Sequence, residues 1–358
     1  MSTSTTASAT TAASAATIAG AASASSASRT NESATTMRAA VQRRYAGPDE
    51  IRVEAVPVPQ PDEGEVVVEV HAAGVDRGVW HLATGRPLVI RALGFGLRRP
   101  KQPVVGTDVA GIVVAVGAGV THLTTGDEVF GTADGSYAQL AVAHADRLAR
   151  KPAGTSMTDA GAMPVSAVTA MAAVQDAAEV EAGQRVLVMG ASGGVGSFAV
   201  QMAAGAGAHV TAVCSTRNVE AVRALGAHAV LDYTRERVTD LPDWFDAIVD
   251  NVGATPMESL HALTSPTGVV VPNSGLDGPD GGALMRVLRA NARRALLRRR
   301  YRTFYSAPST AKLERIGRDL ASGALTPLID STLPLDRGSE AMARVASGHA
   351  RGKVVVTP

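Results

Sequence analysis

The residues best suited to chemistry lie in one run, Val186-Leu187-Val188-Met189-Gly190-Ala191-Ser192-Gly193-Gly194-Val195-Gly196-Ser197. An apolar, strand-like stretch precedes the glycines, and a helix-like segment from Val195 to Ala206 comes after them. In that setting glycines let the backbone turn tightly and approach a pyrophosphate, whose charge rests on the helix N-terminus. A strand–helix turn without ligand has similar spacing, so the loop gains weight only from a second strand with a suitable end. That strand, Val210 to Cys214, ends in Ser215-Thr216-Arg217-Asn218, with no carboxylate before Glu220. An acidic residue about 20 positions past the loop would grip the ribose 2′-OH of NADH. Hydroxyls and an arginine suit a 2′-phosphate instead, each charge-assisted hydrogen bond contributing about 1.5–3 kcal/mol. The expected cofactor is NADPH.

These residues need elements to hold them. From residue 160 onward short apolar strands alternate with helical segments: Arg185–Met189, Val210–Cys214, Ala229–Asp232, Ala247–Asp250 and Val269–Val271 are the strands. Strand, helix, strand at this spacing predicts a doubly wound parallel sheet with right-handed crossovers. Before it, Glu65–His71, Val104–Val116 and Gly126–Gly131 read as β structure, and Pro87–Pro103 as a basic loop or short helix. After it, a strand at Leu328–Leu335, a helix at Arg337–Ser347 and a strand at Lys353–Thr357 are expected to rejoin the first part.

Composition bounds the rest. With 358 residues, 34 basic and 33 acidic side chains and a net charge of +1, the chain has no bulk charge to draw it to nucleic acid. It has 46% hydrophobic residues and a mean hydropathy of +0.10, with no apolar run near the ~18–20 residues that span a bilayer. One cysteine excludes a disulfide framework and any cysteine-rich metal site. Residues 1–36 contain 12 Ala, 9 Ser and 9 Thr, too little apolar surface to offset conformational entropy, and disorder is expected there. The tail lacks the basic start and apolar core of a secretory signal, and the several arginines of a mitochondrial presequence. Met37 reads as an alternative beginning; mass spectrometry of the native N-terminus decides between a solvated extension and a start-codon artefact.

Taken together, Ala72-Ala73-Gly74-Val75, Gly106-Thr107-Asp108-Val109-Ala110-Gly111, Gly126-Asp127-Glu128-Val129-Phe130-Gly131, Pro164–Ala170, the Gly190–Gly196 loop, Cys214–Asn218, Leu225-Gly226-Ala227 with Asp232-Tyr233-Thr234, and Gly348–Val354 carry a family pattern. Across nearly all of 37–358 the sequence resembles the zinc-independent quinone oxidoreductase branch of the medium-chain dehydrogenase/reductase superfamily. The resemblance implies a mostly β, GroES-like catalytic domain (37–163 and 304–358) split around a Rossmann NADPH-binding domain (164–303), with the active site between them. It implies Ser215, Arg217 and Tyr233 around the 2′-phosphate, and Ser192, Gly193, Gly194 and Val195 along the pyrophosphate. Thr169, Asn251, Ser274 and Gly275 are implied near the nicotinamide, and His349 and Arg351 at the cofactor from the last segment. A homodimer and a cytoplasmic location are further expectations.

Zinc is not expected. The family's ligand positions hold Asp76, Thr107 and Val165, and Asp76 alone cannot assemble a tetrahedral site. A zinc-free enzyme must rely on the cofactor's hydride and on an acceptor that is already electrophilic, such as a quinone or an α,β-unsaturated carbonyl. Relatives often carry Asn at the Asp76 position and Tyr at the His81 position, so the usual polar contacts differ here. His81 is either an acid near neutral pH or an ordinary loop histidine; Trp80 either stacks on a flat acceptor or fills core. An enoyl-thioester reductase, or an NADPH-binding sensor with little turnover, shares the glycine loop and stays open. Arg286–Arg302 holds eight arginines among Val287, Leu288, Leu296 and Leu297. A solvated helix face or partner contact is the favoured reading of it, against an anionic membrane surface or nucleic acid.

Overall fold

Short valine-rich strands dominate the chain, and the order in which they pair decides where a ligand can lie. The computed structural model describes residues 35–358 apart from 89, 90, 242, 243, 274–284, 287 and 293–300. The tail through residue 34, Ser274, Gly275 and much of the arginine-rich segment thus lie outside the described residues.

In chain order, β1 (Thr36–Val41) pairs antiparallel with β2 (Arg52–Pro57). The long strand β3 (Glu65–Val75) runs directly into helix α1 (Arg77–Thr84) through the single residue Asp76. Strands β4 (Asp108–Val116), β5 (Glu128–Thr132), β6 (Leu140–His144) and β7 (Leu148–Arg150) come next, all in antiparallel pairs. Two helices, α2 (Met157–Gly161) and α3 (Pro164–Met171), lead into the parallel part. Proline at the first turn of α3 costs nothing there, since that N–H has no helical partner.

The parallel sheet contains β8 (Arg185–Met189), β9 (His209–Cys214), β10 (Ala229–Asp232), β11 (Phe245–Asp250) and β12 (Thr264–Pro272). Their order is β10-β9-β8-β11-β12, every neighbouring pair parallel. Helices α4 (Gly194–Gly205), α5 (Val219–Ala224) and α6 (Met257–Ala262) make crossovers. Val186, Leu187 and Val188 are fully buried, because side chains of this sheet feed one core cluster on each face. That explains the unbroken apolar runs: a strand covered on both sides has no polar face to alternate. The order reverses between β8 and β11, the switch point at which such sheets bind ligands outside the strands' carboxyl ends.

The chain then returns. Helix α7 (Thr310–Ala321) is succeeded by β13 (Ile329–Pro334), α8 (Gly338–Ala346) and β14 (Lys353–Thr357). Strand β14 lies between β13, parallel, and β3, antiparallel, in a seven-stranded sheet ordered β13-β14-β3-β4-β5-β7 with β6 on β3. The architecture is therefore a doubly wound parallel sheet plus a mostly β, GroES-like part, as the sequence pattern implied.

Candidate active site

Strand β8 leaves the sheet at Met189 and turns at Gly190, whose φ of +66° lies in the left-handed region that favours glycine. Gly196, two residues into α4, faces Gly190 so closely that a methyl group there would overlap the Gly190 carbonyl oxygen. The loop closes with Gly193 N–H donating to Gly190 O at 3.0 Å. No side chain caps α4 at Gly193, so its first N–H groups stay available to an anion. Asn218 steadies the rim by donating to Ser192 Oγ at 3.0 Å and Ser215 Oγ at 3.2 Å. Its own Oδ1 is buried without a partner among the described residues. A turn in which Gly190 and Gly196 admit no Cβ, an uncapped helix and an unsatisfied buried oxygen fit a dinucleotide's pyrophosphate and ribose.

Beyond the end of β9, Ser215, Thr216, Arg217, Tyr233, Thr234 and His349 line a cavity of about 330 Å³. The structure thus gathers Ser215, Arg217, Tyr233 and, from the last segment, His349 around one cavity. Tyr233 is 57% exposed, so it forms a wall of the cavity and does not fill a core gap. Arg217 donates to the His349 carbonyl at 2.6 Å, fixing one edge of its guanidinium. The nearest carboxylate, Asp232, is engaged: Thr216 Oγ1 donates at 2.5 Å and Thr234 Oγ1 at 2.7 Å. These hydroxyls, the Thr216 bond above all, hold the Asp232 carboxyl below its ordinary range. Arg351, by contrast, turns its N–H to Asp330 Oδ1 at 2.8 Å and does not line this cavity.

The last segment also reaches the glycine loop. Gly352 N–H donates to Ser192 O at 2.7 Å, and Gly193 and Gly352 form a parallel bridge. Next to them Lys353, 1% exposed, directs its ammonium into the protein, to Asp108 Oδ2 and Ser166 Oγ, both at 3.0 Å. Asp108 Oδ1 accepts from Val165 N–H in the first turn of α3 at 2.8 Å, a helix end that favours negative charge. Burial, the largest influence, still pushes the Asp108 carboxyl up to about 6 against the opposing Lys353 ammonium, with Asp76 adding to the rise. At pH 7 it is ionised and the pair is intact.

Asp76 caps α1. Its Oδ1 accepts from Val79 N–H at 3.1 Å and its Oδ2 from Thr107 Oγ1 at 3.2 Å. Both oxygens are thus engaged, and Asp76 sits as an acceptor that orients Thr107. His81 lies on the next turn of α1, its ring edge-on to Trp80 at 5.2 Å. Trp80, half-buried, packs against the core cluster that includes Val79 and Val354 and also lines a cavity with Tyr45, Thr84, Arg86 and Arg91. On the other side, Thr169 Oγ1 donates to Val165 O at 2.7 Å and lies 3.2 Å from Ser306 Oγ. Asn251 donates to Met189 O at 3.0 Å and accepts from Asn273 at 2.8 Å, tying the ends of β8, β11 and β12 together. Asp250 beside it is fully buried against Arg286, with Nη2 to Oδ2 at 2.5 Å. Arg286 also donates to Gly253 O and Thr255 O, so the first arginine of the basic segment is an internal clamp; the solvated-face reading does not hold for it.

Residues 62–153 match the alcohol dehydrogenase GroES-like domain family, and residues 225–356 a family described as zinc-binding dehydrogenase. A chloroplastic quinone-oxidoreductase homolog of Spinacia oleracea is 31% identical over 87% of this chain and 95% of its own. A chloroplastic NADPH-dependent alkenal/one oxidoreductase of Arabidopsis thaliana is 31% identical over 90% of this chain and 80% of its own. The structure of the quinone oxidoreductase from Coxiella burnetii superposes with a TM-score of 0.80 at 26% identity, covering 90% and 99% of the two chains. The chain belongs to the quinone oxidoreductase-like, zinc-independent branch of the medium-chain dehydrogenase/reductase superfamily.

Zinc-binding members of this superfamily hold their metal with thiolate and imidazole ligands. Here Asp76 is engaged by Val79 and Thr107, while Val165 offers only a backbone N–H already given to Asp108. Cys214, the one cysteine, is buried, and burial pushes its thiol up to about 11, far from a ligating thiolate at neutral pH. Among the described residues no three His, Cys, Asp or Glu side chains gather as a metal would need. The donor set present in this family member does not fit zinc.

Several site residues carry no signal of their own in the sequence. Asp108 and Lys353 are visible there only as parts of the family pattern; their pairing spans 245 positions, which no local signal reports. Ser166 and Asn218 are visible likewise only inside family segments, and the Asp250–Arg286 clamp joins positions 36 apart. A lone charged residue opening an otherwise apolar strand, as Lys353 does in Lys-Val-Val-Val, is the one available hint.

Proposed function

We propose that this family member transfers a hydride from NADPH to a quinone or an α,β-unsaturated carbonyl, without zinc. The cavity at the end of β9 carries the reading, because its one cation, Arg217, faces hydroxyls while the adjacent Asp232 is occupied by Thr216 and Thr234. A ribose 2′-OH would find no free carboxylate there, whereas a 2′-phosphate meets Arg217, Ser215 and Tyr233. Ser192, Gly193, Gly194 and Val195 line the pyrophosphate, and Thr169 and Asn251 border the nicotinamide. When bound, NADPH supplies the hydride.

The chain's own residues bind and orient. Lys353, itself braced by Ser166, holds Asp108, and Asp76 holds Thr107, so the floor of the cleft is fixed before the acceptor arrives. The acceptor's product needs one proton, which His81 or solvent delivers. The names of the Spinacia and Arabidopsis relatives, a quinone-oxidoreductase homolog and an alkenal/one oxidoreductase, support this acceptor class. We also propose domain limits of 37–163 with 304–358, and 164–303, and a homodimer in solution.

The test is oxidation of NADPH and NADH, with chelator present, against quinones, enones and enoyl thioesters. Turnover of a quinone or enone with NADPH strongly preferred supports the reading. Equal use of NADH refutes the cofactor preference, and NADPH binding without turnover of any acceptor refutes the reductase reading and favours the sensor. Arg217→Ala should weaken NADPH binding roughly tenfold to a hundredfold, since a charge-assisted hydrogen bond contributes about 1.5–3 kcal/mol, and leave NADH nearly unchanged.

A further inference from the structure

The loop between α1 and β4 has an unusual surface. Among the described residues ten large hydrophobic side chains are exposed, and three of them, Leu88 at 68%, Phe95 at 47% and Leu97 at 72%, fall within ten positions of this loop. The loop's own charges have one sign. From Arg77 to Thr107 the sequence has six cations, Arg77, Arg86, Arg91, Arg98, Arg99 and Lys101, and no acidic residue. Arg86, Arg98, Arg99 and Lys101 are exposed.

The loop is also held. Tyr45 Oη donates to Phe95 O at 2.9 Å and Gly96 O at 2.6 Å, and Lys101 N–H donates to Phe95 O at 2.9 Å. The Arg91 guanidinium lies 4.4 Å from the Tyr45 ring centre and donates to Gly85 O at 3.1 Å. These bonds consume the loop's backbone and one of its arginines internally, and leave the three apolar side chains in water. Exposure of a Leu or Phe is ordinary singly. Three together, on a braced loop that carries only positive charge, mark a binding surface.

We propose that this loop seats the protein on an anionic lipid surface. Short apolar side chains separated by arginines and a lysine match the boundary between headgroups and acyl chains, where the cations meet lipid phosphates while Leu88, Phe95 and Leu97 enter the apolar edge. A folded protein partner would need an acidic face with pockets for three separate side chains; a bilayer offers both properties without shape matching. No described helix is long and apolar enough to cross a membrane, so the contact is peripheral.

The test is co-sedimentation of the full chain with vesicles of mixed phosphatidylglycerol and phosphatidylcholine, and with phosphatidylcholine alone. Binding is expected to the anionic vesicles only, and to weaken as salt is raised. Each cation near an anionic surface contributes about fivefold in affinity, so Arg98→Ala with Arg99→Ala should weaken binding about 25-fold. Leu97→Asp should weaken it about tenfold or more, and NADPH consumption in solution should be unchanged in both variants. Failure to sediment with anionic vesicles overturns the proposal, as does undiminished binding by the variants, which would point to another basic segment. If Leu97→Asp converts a dimer to a monomer on a sizing column with light scattering, the loop is a contact between copies and the lipid assignment is wrong.

Discussion

Replacing Lys353 by Met removes the ammonium and keeps the volume, leaving Asp108 in a fully buried site with the Val165 N–H as the hydrogen-bond donor that remains among the described residues. Breaking a buried ion pair from one side costs about 3–5 kcal/mol, because the other charge stays behind without compensation. The carboxyl can escape part of that cost by taking a proton. It sits at about 6 with Lys353 in place, and losing the opposing cation raises it further. That ordering sets the sign of the pH dependence. Below about pH 6 the wild-type carboxyl is itself becoming protonated and the pair contributes less, so the variant's deficit is small at pH 5. As pH rises through 6 the wild type gains its ion pair while the variant cannot, and the deficit grows between pH 5 and pH 8. Urea unfolding tracked by the fluorescence of Trp80 and Trp244 measures it. The double variant Asp108→Asn with Lys353→Met should recover much of the loss, since paired polar partners removed together leave no orphan charge. A single variant within about 1 kcal/mol of wild type at pH 8, or a deficit larger at pH 5 than at pH 8, would refute this account of the pair.

Gly196→Ala should abolish measurable NADPH affinity, checked by fluorescence titration, because the added methyl overlaps Gly190 O and forces the loop open; an unchanged affinity would mean the loop does not hold the pyrophosphate. Asp232 works opposite to Asp108: its folded carboxyl is depressed, chiefly by the Thr216 hydroxyl, so its stabilisation is present above about pH 4 and lost as pH falls further. Asp232→Asn should therefore flatten the stability curve on the acid side of pH 4, and a melting series across that range tests it. Arg286→Leu should destabilise by about 3–5 kcal/mol, as expected for a stranded buried carboxylate, with Asp250→Asn in the same chain restoring part of it; denaturant midpoints decide. Turnover should be insensitive to chelators, and its loss in their presence would contradict the absence of a zinc donor set.

What can be read from the sequence is local. The Gly190–Gly196 loop, the strand before it and the helix after it all carry their signals within about a dozen positions, so spacing is enough. The Ser215–Arg217 cluster is equally legible, since a strand end places its next residues at the cofactor whatever the rest of the fold does. Asp76 is legible as a candidate, but its role is not: that it caps α1 and holds Thr107 depends on β4 arriving beside it. Arg286 looks like one of eight arginines on a solvated helix, and only the meeting of its segment with the end of β11 reveals a buried clamp. Arg351 is legible only through the family segment, and what the fold adds is its backbone N–H bonded to Asp330.

The position of β14 has a consequence for how the chain is made. This strand is an interior member of its sheet, hydrogen-bonded to β13 on one side and β3 on the other, yet it is synthesised after the whole parallel sheet. While the ribosome adds the intervening residues, β3 waits with an open edge and Asp108 waits for a lysine 245 positions away. The parallel part can form from nearby segments meanwhile, but the first part is left incomplete, with apolar strands that other chains can pair with. Docking of β14 closes that edge and the cofactor loop's floor in a single event, because Gly352 and Lys353 serve both. Nascent chains stalled before residue 353 should accordingly be the species that chaperones hold and proteases find.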